Sequence, residues 1–462
     1  VGRGIAPSAR WVDRSHVDPL CREAGPRDGA LHPRGRAQRE PARGSGDPRE
    51  DAARGAAGVL AGVGGDGRGP EGRGVRRTPR DARIVIEDVL VIGGGIIGLS
   101  VADALAREGM SVRVLESDRV AGAASGAAAG MLAPLSEALV HEAGDPGLNP
   151  LVRLGLESLS RFEALCHRLR EETGIDPELE RSGLWRPVAD EAERRDTRAG
   201  FERIGPEAGA IEWCAGKDLA DALPGLAEGI PGAFFSPLEC HLRPPLLSRA
   251  TAAALRARGV EIEEGVAVHR LRTQGGRLLG VETHSGLRQA GRVVVAAGPW
   301  TTALLEPVVG PASLPRIEPV RGQILALDAP LPAVRGIVYG ADVYCVPKRD
   351  GSWIVGATQE RVGFDRRVTA RGVAELLERA RALFPDLASA TFVRAWAGLR
   401  PVEEHRWPRV GATDVEDLFV AAGHGRNGVL LAPITAERLR DMVTGKRPPA
   451  RDALAPDEAG AE

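Results

Sequence analysis

Gly93, Gly95 and Gly98 form a G-x-G-x-x-G triad, and Glu116 stands eighteen residues after the last glycine. Glycines at this spacing allow a tight turn, close approach of backbone to a pyrophosphate, and packing of a helix on a strand. A helix starting at such a turn offers free N–H groups and partial positive charge to phosphates. A carboxylate ending the next strand is placed to accept both ribose hydroxyls of an adenosine. The combination points to a bound dinucleotide, with Gly93, Gly95, Ile96, Ile97, Gly98, Glu116 and Ser117 as candidate contacts. The five cysteines (Cys21, Cys166, Cys214, Cys240, Cys345) are scattered without a C-x-x-C. They imply neither a zinc site nor a disulfide framework, and they suit a reducing, cytoplasmic compartment. No metal site is expected, and no nucleophile–base triad stands out.

The elements that must position these residues are legible around them. Val89–Ile92 reads as a buried parallel strand. Ile97, Val101, Ala104 and Leu105 recur at helical spacing until Gly109, and Ser111–Leu115 is a second strand. Val293–Ala297 and Leu418–Ala422 want the same sheet, which brings Gly298 over the ligand. The small residues from Gly122 to Gly130 allow close approach to a cofactor. Pro150–Thr173 reads as one amphipathic helix. Gly183–Val188, Gly232–Phe235, Ile317–Asp328, Ile337–Pro347 and Ser352–Ala357 read as strands, with a turn at Lys348–Gly351. Thr369–Phe384 is a helix stopped by Pro385, and Gly428–Thr444 is a closing helix that tolerates Pro433 in its first turns.

The fold class is therefore α/β: a Rossmann-like nucleotide-binding domain with an interposed antiparallel-sheet α+β substrate domain. The nucleotide domain takes residues 85–175, 236–310 and 396–447. The substrate domain takes 176–235 and 311–395, and 448–462 is a tail. Residues 1–84 read as a disordered extension. They are rich in Arg, Gly, Pro and Asp, and without a sustained period they cannot bury enough apolar surface to offset ordering entropy. Val1 matches a GTG start codon read literally, which puts the expected natural start near Ile84. The net charge of −2 gives no strong attraction to nucleic acid or membrane. No apolar run is long enough to span a bilayer.

With these segments placed, the chain resembles the D-amino-acid oxidase family of FAD enzymes, and within it the glycine-oxidase group. The stretches that carry the resemblance are VIGGGIIGLS (91–100), SGAAAGMLAP (125–134), VVVAAGPW (293–300), VYCVPKRDGSWIVGAT (343–358), WAGLRP (396–401) and AAGHGRNGVLLAPITA (421–436). The resemblance implies FAD, with Glu116 on the adenosine ribose and Val266 touching adenine by its backbone. Ala129, Gly130 and Met131 would line the flavin, and Ser125 would also contact the cofactor. His424, Gly425, Arg426, Asn427, Gly428, Val429 and Leu430 would wrap its ring system. Arg400 would clamp a substrate carboxylate through two parallel hydrogen bonds, Arg426 would assist, and Tyr344 would cap the pocket. The implied partners are a small amino acid or amine and dioxygen, with a homo-oligomer left open. The implied chemistry is hydride transfer from Cα to the flavin, giving an imine and hydrogen peroxide. In this group the product feeds thiazole synthesis for thiamine.

Three stretches depart from the group's pattern: VEEHRWPRVG (402–411), Gln359 and Asp342. They are expected at the pocket rim, where they bear on the substrate rather than the cofactor. Three readings stay open: oxidation of glycine, oxidation of D-amino acids or sarcosine-type amines, and a flavin-binding subunit without turnover.

Overall fold

The computed structural model describes residues 11–13, 87–141, 148–329, 334–340 and 342–454. Two sheets carry the architecture. The first has six strands, in the order Arg409–Ala412, Leu418–Ala422, Ala290–Val295, Glu87–Ile92, Val112–Leu115, Glu261–Glu263. All neighbours are parallel except the Arg409–Ala412 edge. Its central segments Val89–Ile92, Val293–Val295 and Leu418–Ala422 are apolar and buried, as a parallel sheet covered on both faces requires. Helices Ile96–Arg107, Pro244–Ala257 and Gly428–Val443 cover one face. A three-stranded sheet (Val268–Gln274, Arg277–Thr283, Gly286–Arg288) packs over the other. The expected placement of Val89–Ile92, Val293–Ala297 and Leu418–Ala422 in one sheet is found, with the Ala290–Val295 strand lying between the other two.

The second sheet has nine strands. Its long members, Ile317–Asp328 and Thr391–Glu403, pair antiparallel, with Val320 opposite Arg400 and Gly322 opposite Gly398. Ser352–Gly356 pairs on the other side of Ile317–Asp328. Helix Ala370–Leu383, capped by the Thr369 hydroxyl accepting from Gly372 N, covers one face of this end. At the far edge Trp11–Asp13 pairs parallel with Ile211–Cys214. The expectation of disorder over 1–84 otherwise lies outside the described residues; at Trp11–Asp13, Trp and Val are good strand formers and an open edge accepts them.

Two expectations are corrected. Pro150–Thr173 is two helices, Leu148–Leu159 and Phe162–Thr173. At the break the Ser160 hydroxyl (2.8 Å) and the Arg161 guanidinium both donate to Glu157 O, taking up the carbonyl that would continue the ladder. Ile337–Pro347 is a hairpin of Ile337–Tyr339 and Tyr344–Pro347, because the chain turns after Gly340, whose N–H donates back to Val343 O. Among the described residues no helix is long and apolar enough to cross a membrane.

Candidate active site

At the carboxyl end of the parallel sheet, Gly93 adopts φ +111°, and a Cβ there would lie 2.4 Å from Ala296 O. A Cβ on Gly98 would lie 2.0 Å from Gly93 O. Both positions admit only glycine. Gly95 is different: the sole heavy atom near its would-be Cβ is Ser125 Oγ at 3.3 Å. Ser125 Oγ in turn accepts from Ile96 N, at the start of helix Ile96–Arg107. The Glu116 carboxylate is held by backbone, accepting from Gly94 N at 2.7 Å and Asp118 N at 2.9 Å.

The small-residue run folds along the same opening. Gly130 has φ +87°, and Leu242 N donates to its carbonyl at 3.0 Å. Half-buried Lys348 donates from Nζ to Ala129 O at 2.8 Å and Leu242 O at 2.9 Å, pinning the expected turn onto this loop. Burial, helped by Arg243, pushes the Lys348 ammonium down to about 7. Trp396 Nε1 donates to Ala127 O, so the antiparallel sheet meets the loop directly.

One cavity of about 950 Å³ runs along the glycine turn and the small-residue run. It joins Gly93, Gly95 and Glu116 to Val266, Ala129, Gly130, Met131 and Gly298, and then to Tyr344, Arg400 and the segment His424–Val429. Ile96, Ile97, Ser117, Ser125, Gly425, Arg426, Asn427 and Gly428 also line it. Two expected contacts stand behind the wall. Gly98 is covered by Gly93, and Leu430 is core, its carbonyl accepting from the Ser158 hydroxyl. Gln359 and Asp342 are exposed and do not line the cavity.

Helix Gly428–Val443 opens its N-terminus on the cavity. His424 beside it is buried, with Nε2 3.0 Å from Thr435 Oγ1. Burial lowers its imidazole to about 3, so it is neutral at ordinary pH.

At the other end, Arg400 and Tyr344 each lie across a glycine of the neighbouring strand. A Cβ on Gly322 would come within 2.5 Å of the Arg400 guanidinium, and one on Gly356 within 2.4 Å of Tyr344 Oη. Arg400 NH1 donates to Thr358 O at 3.1 Å. The nearby acids are engaged elsewhere: Glu404 pairs with Arg316, and Glu403 accepts from His405 N. Tyr344 is buried and meets Tyr339 edge-on at 6.0 Å.

Sequence reasoning missed Gly322, Ile324, Trp300 and Arg366, which line the cavity. A glycine inside a strongly apolar strand, as Gly322 is, signals close approach of another group and could have been used. Trp300 and Arg366 carry no such signal. Among the described residues no group of three or more His, Cys, Asp or Glu could hold a metal.

These residues fit FAD. The glycines clear backbone for phosphates, Glu116 stands at the end of the second strand, and the middle of the cavity is walled by alanines and glycines.

Comparison with known proteins accords with this geometry. The family model described as FAD dependent oxidoreductase (DAO) matches residues 88–442. The glycine oxidase of Geobacillus kaustophilus is 35% identical over 363 residues, covering 78% of this chain and 93% of that protein. The bifunctional protein ThiO/ThiG of Trichormus variabilis is 35% identical over 365 residues; the match covers 78% of this chain and 53% of that protein, so the chain spans about half its length. The crystal structure of glycine oxidase from Bacillus cereus superposes with a TM-score of 0.72 at 32% identity, covering 78% of this chain and 96% of that one.

Proposed function

The chain belongs to the DAO family of FAD-dependent oxidoreductases, and from that premise we propose that it oxidises glycine or a similarly small amino acid. The substrate amine loses a Cα hydride and a proton and becomes an imine, which water hydrolyses to the oxo acid and ammonia. The flavin, when bound, supplies the hydride acceptor and passes the electrons to dioxygen, giving hydrogen peroxide. The imine, taken up before hydrolysis, would serve thiazole synthesis for thiamine.

The protein's part is placement and electrostatics. Glu116 holds the adenosine ribose, and the Gly93–Gly98 turn with its helix N-terminus holds the pyrophosphate. Val266 offers backbone to the adenine. Ala129, Gly130 and Met131, together with His424 to Val429, would hold the flavin. Neutral His424 adds no charge there, while the positive end of helix Gly428–Val443 favours negative charge. Arg400 takes the substrate carboxylate as a two-pronged clamp, with Arg426 assisting. Tyr344 closes the pocket above it.

One observation supports this most strongly: a single cavity runs from the dinucleotide turn to Arg400 and Tyr344. The test is anaerobic mixing of the FAD-loaded protein with glycine, sarcosine and a panel of D-amino acids. Bleaching of the flavin absorbance is expected with glycine. Bleaching by none of them would leave a flavin-binding subunit instead, and bleaching only by larger D-amino acids would reassign the substrate.

A further inference from the structure

Behind Arg400 lies a polar network inside the apolar antiparallel sheet. Arg321, Gln323 and Thr358 are all buried. Their common partner is Glu360. Its Oε1 accepts from Thr358 Oγ1 at 2.6 Å and from Gln323 Nε2 at 2.6 Å. Its Oε2 accepts from Arg321 NH2 at 2.5 Å. Backbone bonds run both ways between Arg321 and Glu360. Thr358 Oγ1 also accepts from Gln323 N at 2.9 Å, so both ends of the Thr358 side chain are fixed. The carbonyl of this same Thr358 takes the Arg400 guanidinium.

We infer that Glu360 is a positioning residue for substrate recognition: by fixing Thr358 it sets the plane in which Arg400 presents its guanidinium. The inference rests on the proposed reading of Arg400 as the carboxylate site. Three features support it. First, the guanidinium packs directly across Gly322, where a Cβ would come within 2.5 Å of it, so the neighbouring strand backs one face and its edge is met by Thr358 O. Second, Arg400 NH1 donates to the carbonyl of a residue whose own side chain is bonded to Glu360. Third, Glu360 stays ionised throughout. Burial favours its neutral form, but the bonds from Arg321, Thr358 and Gln323 prevail and bring the carboxyl down to about 2. A half-satisfied buried network would be costly, so removing one acceptor from this hub should release the others. Arg321 also ties in the chain that follows, through Asp365 at 3.2 Å and Arg367 O at 3.1 Å. That second task gives the test its contrast.

Two variants separate the tasks. Thr358→Val keeps the carbonyl and the shape but removes the hydroxyl bonded to Glu360. Glu360→Gln keeps the shape and removes the charge. FAD-loaded wild type and variants are titrated with glycolate, an unreactive carboxylate of glycine's size, following the flavin spectrum. Glycine-dependent reduction is measured in parallel, with Arg400→Lys as reference. Both variants should retain FAD, and the glycolate Kd and the half-saturating glycine concentration should rise about three- to tenfold, as coupled neighbours do. The limiting reduction rate should stay within about twofold. Wild-type glycolate affinity in Thr358→Val overturns the inference, even if Glu360→Gln fails to fold. Loss of FAD from both variants overturns it as well, since the network would then be structural. If Arg400→Lys itself leaves glycolate binding unchanged, the reading of Arg400 has failed instead.

Discussion

The two ends of the cavity are built by opposite means. At the nucleotide end, backbone makes the shape. Gly93 and Gly98 leave no room for a Cβ, and Glu116 is fixed by the N–H groups of Gly94 and Asp118. At the substrate end, side chains make the shape. Arg400 is oriented by Thr358, and Thr358 by Gln323 and Glu360. A ligand used unchanged is met by a backbone cradle that tolerates little variation. The end we propose for the substrate rests on a network that single substitutions can retune.

If the ends are independent, a change at one should leave the other intact. Arg400→Ala should have the largest effect. It leaves a desolvated substrate carboxylate unpaired, costing roughly 2–5 kcal/mol. Flavin reduction by glycine should become between about tenfold and several thousandfold less efficient, while FAD content and spectrum stay as in wild type. Next, Gly98→Val should weaken FAD binding by about one to two orders of magnitude, since overpacking costs roughly 1–3 kcal/mol; what is retained should reduce normally, as equilibrium dialysis and stopped-flow would reveal. Glu116→Ala should weaken FAD by at least about tenfold, through loss of charge-assisted bonds of roughly 1.5–3 kcal/mol each. Wild-type FAD affinity in folded Glu116→Ala would remove that residue from the site. Gly322→Ala should displace the Arg400 guanidinium and raise the half-saturating glycine concentration by about an order of magnitude, with FAD retention unchanged.

The smallest effect concerns pH. Lys348 is half-buried with its ammonium desolvated and held near 7, against 10.5 when unfolded. Between these values the unfolded chain binds the extra proton, so this group's contribution to stability rises with pH across that window. Melting temperatures followed from about pH 7 to about pH 10 should therefore include a favourable increment that Lys348→Met lacks. Parallel curves for the two proteins would contradict the desolvation of Lys348.

This contrast also explains what could be read without coordinates. The nucleotide end is local in sequence: strand, turn, helix and acid fall within Asp88 to Glu116, and each is dictated by spacing. Ile317–Asp328 and the Thr369-capped helix were equally plain from apolar pattern and cap chemistry. The helix break at Ser160–Arg161 was not, because it depends on side chains capturing one carbonyl within an unbroken apolar period. Nor was the Glu360 hub. Arg321 and Gln323 sit in a strand that reads as apolar, and their partner arrives from a separate strand's end. Gly98 and Leu430 show the converse: a motif places residues near a ligand without putting each in the wall.

The central claim is that Arg400 orients the substrate as well as neutralising its charge. Arg400→Lys isolates that claim, because it keeps the charge and removes the planar fork. Stopped-flow anaerobic reduction of the FAD-loaded variant, beside wild type, with glycine and with sarcosine, is the measurement. The account predicts full FAD occupancy with reduction by both substrates at least about tenfold less efficient. Reduction at the wild-type rate with unaltered saturation would contradict it.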